Sequence, residues 1–418
     1  MQKPTVAVVS FPGNNCEFES LRAIAQSGMT PLYFRWNDDR AKLADVDGYF
    51  LVGGFSYEDR GRAGMVAGRD TLMDFIGQEA EAGKVVIGNC NGAQVLVESG
   101  LIPLDRELKM SLARNVITTK EGHEATGFLS EWVWITPTCK NERCATSDWR
   151  GAMHLPIAHG EGRFITTDPE VIKELKKNDQ VAFSYCDADG AISEGIPITP
   201  NGAQFGAAGI CNPAGNVVAL MPHPERTQNG KPYFDSLKKW MERNGKLKQT
   251  SGKNVSDTTV NLESLKPEGM EIFIETIIVN NEERTVEQTA RKYAPSLSLK
   301  QWKYFRVQQS LQGKILNDLA IFNPNKERAY IRRDGKVYRW NNAARKEEAL
   351  ESAQATKILS SSLLLRRDLP DTAAEHFGKG ALTGICYGVN GVGDTALASR
   401  KLLEVFYNPH ASELKVLR

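Results

Sequence analysis

Of the seven cysteines in this 418-residue chain, one sits where a nucleophile could be built. The run VVIGNCNGAQVLVESG, residues 85–100, sets Cys90 between Asn89 and Asn91, with glycines at 88 and 92. An apolar, β-branched run that meets this cluster and continues as an amphipathic segment predicts a strand turning sharply into a helix. Such a turn pushes the side chain of Cys90 out at the end of a sheet, at the positive N-terminus of the helix. A free thiol with a pKa near 8.5 is mostly protonated at neutral pH, so the helix needs a base to complete the activation. Among six histidines, His223 is the one with a suggestive setting. VVALMPHPERTQNG ends a strand-like run, and Glu225 follows His223 two residues later. A carboxylate so placed can orient an imidazole and favour its protonated form. Cys90, His223 and Glu225 make a plausible triad. The alternative on spacing alone is a buried structural thiol and a loop histidine.

The elements that must position these groups follow from periodicity. TVAVVSF (5–11), TPLYFRW (30–36), GYFLVGG (48–54) and KVVIGN (84–89) read as short buried strands. Between them, CEFESLRAIAQSG and DTLMDFIGQEAEAG read as helices closed by glycine. Alternation of this kind predicts an α/β domain, a parallel sheet with helices on both faces and ligand sites at the carboxyl ends of its strands. The composition shifts near residue 245. The stretch to 268 lacks aromatics and is rich in Lys, Ser, Thr and Gly, as linkers are. The expected organisation is a first domain over 1–244, a linker over 245–268 and a smaller α+β domain over 269–418.

Within that second domain, GMEIFIETIIVNN and LSLKQWKYFRV read as strands and ERTVEQTARKYA as the helix between them. ALTGICYGVNG and SELKVL read as strands at the far end, around a helix DTALASRKLLEVFYNP capped by Asp394. The middle, about 308–380, reads as a central insertion. Its KERAYIRRDGKVYRW has an Asp-Gly turn between alternating halves and predicts a hairpin, and NNAARKEEALESAQATKILSSSLLL after it reads as a helix. The tyrosines and arginines of this hairpin suit one packed aromatic face better than a nucleic-acid surface. GVNGVGD, at 388–394, lacks the Lys and Ser/Thr of a phosphate loop and reads as a turn.

Charge and cysteine usage narrow the function classes. A net charge of +1 gives no reason to expect nucleic acid or an anionic membrane as partner. No apolar run approaches the roughly 18 residues that a membrane span needs, and the first residues lack a signal peptide's h-region. The expectation is a soluble, cytoplasmic protein. Scattered cysteines, odd in number, fit a reducing compartment. Cys139 and Cys144 in CKNERC have no second Cys/His pair at suitable spacing and read as incidental thiols of a loop, so no metal is assigned.

The wording of the motifs adds a resemblance. GNCNGAQ resembles the nucleophile motif of class I (triad) glutamine amidotransferases, and MPHPER resembles the His and Glu motif that closes their glutaminase domain. FPGNNCE (11–17), LVGGFSYEDRGRAG (51–64) and PIAHGEGRF (156–164) are similar to the family of glutaminase subunits of phosphoribosylformylglycinamidine synthase. The resemblance spans about residues 4–243. It implies a flavodoxin-like fold, Cys90 as nucleophile, His223 as base and acid, and Glu225 as its orienter. It further implies an oxyanion hole from Gly53 or Gly54 and the amide of Asn91, and a contact from Gln94 to the amino-acid head of glutamine. Arg60 and Arg62, in the loop that faces the partner in this family, become interface candidates, the other reading being two arginines on a solvated loop. His159 matches a segment close to the active site, where a hydrogen-bonded structural role is expected. Asn89, Ala93 and Glu58 depart from the family pattern.

What the resemblance implies for function is hydrolysis of glutamine and delivery of ammonia to a separate PurL-type synthase. No cofactor is expected in this chain, with ATP and magnesium on the partner. ALASRKLLEVFYNPHASELKVLR resembles the end of PurS, the small subunit that bridges glutaminase and synthase, which makes a PurS-like second domain an expectation. Two alternatives stand beside this: an amidotransferase for another acceptor, and a catalytically silent adaptor.

Overall fold

Side chains of the first strand alternate between two buried layers. In β1 (Thr5–Ser10), Val6 and Val8 pack with Ile24, Phe234 and Leu237, while Ala7 and Val9 pack with Leu72, Ile76 and Leu96. A strand buried on both faces must be covered by helices on both, and this one is. The computed structural model describes residues 3–104, 107–243, 257–266, 268–351, 353–355 and 362–418. The chain divides into two compact units, Met1–Val255 and Ser256–Arg418.

The first unit opens with β1, α1 (Glu17–Gln26), β2 (Thr30–Arg35), β3 (Gly48–Leu51), α2 (Met65–Gly68), α3 (Thr71–Glu81), β4 (Val85–Asn89) and α4 (Asn91–Glu98). Next come β5 (Ser111–Arg114), β6 (Val116–Thr118), β7 (His123–Ala125), β8 (Leu129–Pro137), β9 (Met153–His159) and β10 (Glu161–Ile165). It closes with α5 (Pro169–Lys177), β11 (Val181–Cys186), β12 (Ala207–Cys211), β13 (Val217–Leu220) and α6 (Lys231–Arg243). Its main sheet runs β2-β1-β3-β4-β13-β12-β11-β8-β9. The expected parallel sheet holds for the five strands from β2 to β13. Beyond β13 the pairing is antiparallel. The sheet is therefore mixed. Both candidate catalytic segments leave the carboxyl ends of adjacent parallel strands, β4 and β13.

The second unit is built on one sheet of order β14-β22-β20-β21-β16-β15-β17-β18-β19. The strands are β14 (Ser264–Leu265), β15 (Met270–Thr276), β16 (Ser298–Val307), β17 (Glu327–Arg333), β18 (Lys336–Asn341), β19 (Lys346–Ala349), β20 (Ser362–Asp368), β21 (Leu382–Asn390) and β22 (Ser412–Leu417). A helix, α7 (Asn281–Ala290), joins β15 to β16, capped by Asn280 on the amide of Glu283. The Asp-Gly hairpin forms as expected between β17 and β18, with Asp334 and Gly335 at φ of 51° and 72°.

Four expectations need correction here. Residues 245–256 of the expected linker lie outside the described residues, but its later part belongs to the second unit: Ser264 and Leu265 pair with the closing strand β22, and Thr259 bridges to Ser399. The expected helix over 341–365 is not formed among its described residues except for one turn at 353–355, since β19 and β20 occupy its two ends. Backbone pairing with β18 and β21 overrides the local helical pattern. Because β20 sits between β21 and β22, the stretch 308–380 is not a separate insertion. Finally, the helix begun at Asp394 is two short ones, Asp394–Leu397 and Arg400–Phe406, because Ser399 starts the second by accepting from the amide of Leu402. Asp394 is the first residue of its helix, after Gly393. No helix of the described residues is long and apolar enough to cross a membrane.

Candidate active site

The elbow after β4 has the shape its glycines predict. Gly92 packs so tightly on β3 that a Cβ there would lie 2.0 Å from the carbonyl oxygen of Leu51. Cys90, between β4 and α4, is held at φ 52° and ψ −110°, a conformation that non-glycine residues avoid and that functional sites retain. Its amide donates to the Leu220 carbonyl of β13 at 2.8 Å, and its thiol faces the Ala158 carbonyl of β9 at 3.6 Å. The residue is 3% exposed.

His223 leaves the end of β13 and is fixed from β9, its amide donating to the Pro156 carbonyl at 2.9 Å. Its Nδ1 lies 2.6 Å from Oε1 of Glu225. Nε2 has no hydrogen-bond partner among the described residues, which leaves that nitrogen available for proton transfer. Burial works against a charged imidazole, yet Cys90 and Glu225 beside it outweigh burial and hold its pKa well above the ordinary value. Burial likewise raises the carboxyl of Glu225, but His223 overrides it and the pKa falls below the usual range. The structure brings Cys90, His223 and Glu225 together as an imidazole–carboxylate pair beside a thiol, with the geometry of a cysteine triad.

Gly53, one of the expected oxyanion residues, lies against His223. A Cβ on Gly53 would fall 2.8 Å from Cε1 of His223, so only glycine lets the backbone come this close. Gly54 has φ of 132°. Neither amide donates a hydrogen bond among the described residues, and the first amide of a helix, here that of Asn91, has no intrahelical acceptor. Asn14 ties these pieces together, its Nδ2 reaching the Gly53 carbonyl at 3.3 Å and Oδ1 of Asn91 at 3.1 Å.

The other expected site residues are engaged within the chain. Gln94 donates to the Glu161 carbonyl at 2.6 Å and accepts from Asn91 at 2.9 Å, so its amide braces the framework at both ends. Arg62 is not a solvated cation: its guanidinium meets both oxygens of Glu98 at 2.8 and 2.6 Å, with Arg69 on the same carboxylate at 3.1 Å. All three side chains are mostly buried. Arg60 pairs with Glu58 at 2.8 Å. His159 is buried without the hydrogen bond expected of it, and burial, with the charge of His223, lowers its pKa to about 3. Cys139 and Cys144 stand on the loop between β8 and β9, as expected, but are buried there in one cluster with Cys211.

Three residues, Cys16, Arg226 and Tyr233, escaped the sequence reading, and a fourth, Asn89, stands there only as a departure from the family pattern. Cys16, at the head of α1, receives a hydrogen bond from Nη2 of Arg226 at 3.0 Å and lies beside His223. Asn89 donates to Oε2 of Glu225 at 3.0 Å and accepts from the hydroxyl of Tyr233 at 3.2 Å. Cys16 and Arg226 stand inside the quoted motifs, so a signal existed; Tyr233 has none. Cys16, His223 and Glu225 could also offer a metal three donors within 4.8 Å of one another. Arg226 on the Cys16 thiol and the short imidazole–carboxylate bond already engage those donors, so we assign His223 and Glu225 to the triad with Cys90 and no metal to the three.

Comparison with known proteins agrees with this geometry. Residues 3–250 match the family model of the CobB/CobQ-like glutamine amidotransferase domain. Phosphoribosylformylglycinamidine synthase subunit PurQ of Methanothrix thermoacetophila is 39% identical over 256 residues, covering 57% of this chain and 98% of that protein. The chain belongs to the PurQ family. The PurQ subunit of Chlorobium chlorochromatii is 38% identical over 246 residues, covering 57% of this chain and 97% of its own length. Among solved structures, a chain of PurLQS from Thermotoga maritima is 30% identical, with a TM-score of 0.44, covering 57% of this chain and all of that one.

Proposed function

We infer that this chain is the glutaminase component of phosphoribosylformylglycinamidine synthase in de novo purine biosynthesis, acting in the cytoplasm. The observation that carries the reading is the Nδ1–Oε1 bond of 2.6 Å between His223 and Glu225 beside Cys90, inside a PurQ-family domain. The thiolate of Cys90 adds to the side-chain carbonyl carbon of glutamine. The oxyanion is held by the amide of Gly53 or Gly54 and that of Asn91. His223, protonated on Nε2, gives that proton to the departing nitrogen as the C–N bond breaks, releasing ammonia and leaving a γ-glutamyl thioester. Nε2 then takes a proton from water, whose oxygen adds to the thioester; the C–S bond breaks, glutamate leaves and Cys90 returns as thiolate. Ammonia passes through a channel to a separate PurL-type subunit, where ATP and magnesium are used, and no cofactor is held by this chain.

The second unit we assign as a PurS-like bridge. Strand–helix–strand segments stand at both its ends, β15-α7-β16 and β21 through Arg400–Phe406 to β22. The full chain is then expected to co-elute with a PurL-type synthase without a separately added PurS. An assembled triad weighs against a silent adaptor. Exposure of the isolated chain to a glutamine-mimicking electrophile is expected to label Cys90; absence of labelling, where a control amidotransferase is modified, would replace the enzyme reading with the adaptor.

A further inference from the structure

Asn89 departs from the pattern that the motifs otherwise resemble, and the structure gives that departure a purpose. The carboxylate of Glu225 is fully enclosed, and its Oε1 is taken by His223. With water excluded, Oε2 needs a protein donor, because an unsatisfied buried carboxylate oxygen is costly. Asn89 supplies it at 3.0 Å. Only the amide nitrogen of Asn89 can face a carboxylate, so its oxygen points the other way, where the hydroxyl of Tyr233 donates at 3.2 Å. Asn89 and Tyr233 are both 0% exposed. The result is a line of four side chains, Tyr233 to Asn89 to Glu225 to His223, drawn from α6, β4 and the turn after β13.

We propose that Asn89, held by Tyr233, is a positioning residue for the catalytic reaction, fixing the Glu225 carboxylate and through it the tautomer and orientation of His223. An aliphatic side chain at 89 fills the space but donates nothing. Glu225 then keeps only its backbone amide and His223, its Oε2 loses the donor from β4, and the imidazolium loses stabilisation. The titratable and charged groups around this line are His223 and Arg226 on its own turn, Cys90 before α4, Cys16 before α1, His159 at the end of β9 and Tyr233 on α6. None of them donates to Oε2 in place of Asn89.

The inference rests on the glutaminase reading, and the test separates the two. Glutamate release is measured across pH for the wild-type full chain, Asn89→Leu, Asn89→Asp and Tyr233→Phe, each with the complete synthase. Asn89→Leu is expected to lower kcat about 10- to 100-fold, the range for a hydrogen bond to a charged group, with KM nearly unchanged. Its alkaline limb is expected at lower pH. Asn89→Asp sets a second carboxylate against Glu225 and recovers activity only as pH falls and the new carboxyl takes up a proton to donate. Tyr233→Phe gives a smaller loss and carries the test if Asn89→Leu does not fold. Variants that keep the wild-type kcat and pH limbs overturn the inference while leaving the glutaminase reading intact. A wild-type chain with no glutaminase activity overturns both.

Discussion

Glu225 and Asp59 are both carboxyls withdrawn from water, yet the fold drives them in opposite directions. Burial raises each; at Glu225 the imidazole of His223 outweighs it, whereas at Asp59 nearby Glu161 adds to it and the pKa reaches about 7. Asp59 accepts from Asn91 at 3.2 Å and ends a run of three residues, Tyr57, Glu58 and Asp59, at φ of 51°, 57° and 53°. Left-handed backbone costs roughly 1–2 kcal/mol per non-glycine residue, so the loop stores strain beside the oxyanion strand. For a carboxyl raised in the folded state, the contribution to stability is full below the unfolded pKa near 3.9 and is lost as pH rises through about 7. Asp59→Asn removes that titration. Its melting temperature is expected to exceed the wild type's by several degrees at pH 8, with the gap closing toward pH 5; a constant gap across this window contradicts the assignment. Gly53 makes the second single-residue prediction. With a Cβ 2.8 Å from Cε1 of His223, Gly53→Ala displaces the ring, and a displacement of ~1 Å costs about 100-fold in kcat. Glutamate release with unchanged kcat would show that the ring has room.

Between residues and the whole lie the elements that carry the site. The glycine loop and α4 are joined by Asn14 and Asn91, and farther along α4 by Glu98, which holds both Arg62 and Arg69. Glu98→Gln leaves two mostly buried guanidinium groups without their carboxylate. The expected loss is about 3 kcal/mol, read from the urea midpoint. An unchanged midpoint would make the cluster dispensable. This cluster also marks what the sequence could and could not reveal. The elbow, the strands from β1 to β4 and the triad are local patterns, a run of β-branched residues, a glycine spacing and a His-Pro-Glu turn, and all were legible. The partner of Arg62 is 36 positions away and on another element, so nothing near Arg62 announces that it is buried. Asn89 was visible as an oddity, but its partners lie 136 and 144 positions away. The antiparallel half of the main sheet and the place of β20 failed for the same reason: strand pairing is decided by distant backbone, and the local helical pattern before β20 lost to it.

Taken as a molecule, the chain joins a glutamine amidotransferase domain, matched over residues 3–250, to a second unit with its own nine-stranded sheet. Each unit has separate hydrophobic clusters, the first on both faces of its main sheet and the second around Ile272 and Phe273. Free ammonia is protonated and lost in water, so a glutaminase of this kind gains from acting only when docked. That makes low activity in isolation the expected behaviour of the whole chain. The most direct test is glutamate release from glutamine by the purified chain, alone and with a PurL-type synthase, ATP, magnesium and formylglycinamide ribonucleotide, beside Cys90→Ala. Release that rises on adding the complete synthase and vanishes in Cys90→Ala is the predicted result. Release that is indifferent to the synthase, or that survives loss of the thiol, would contradict the account.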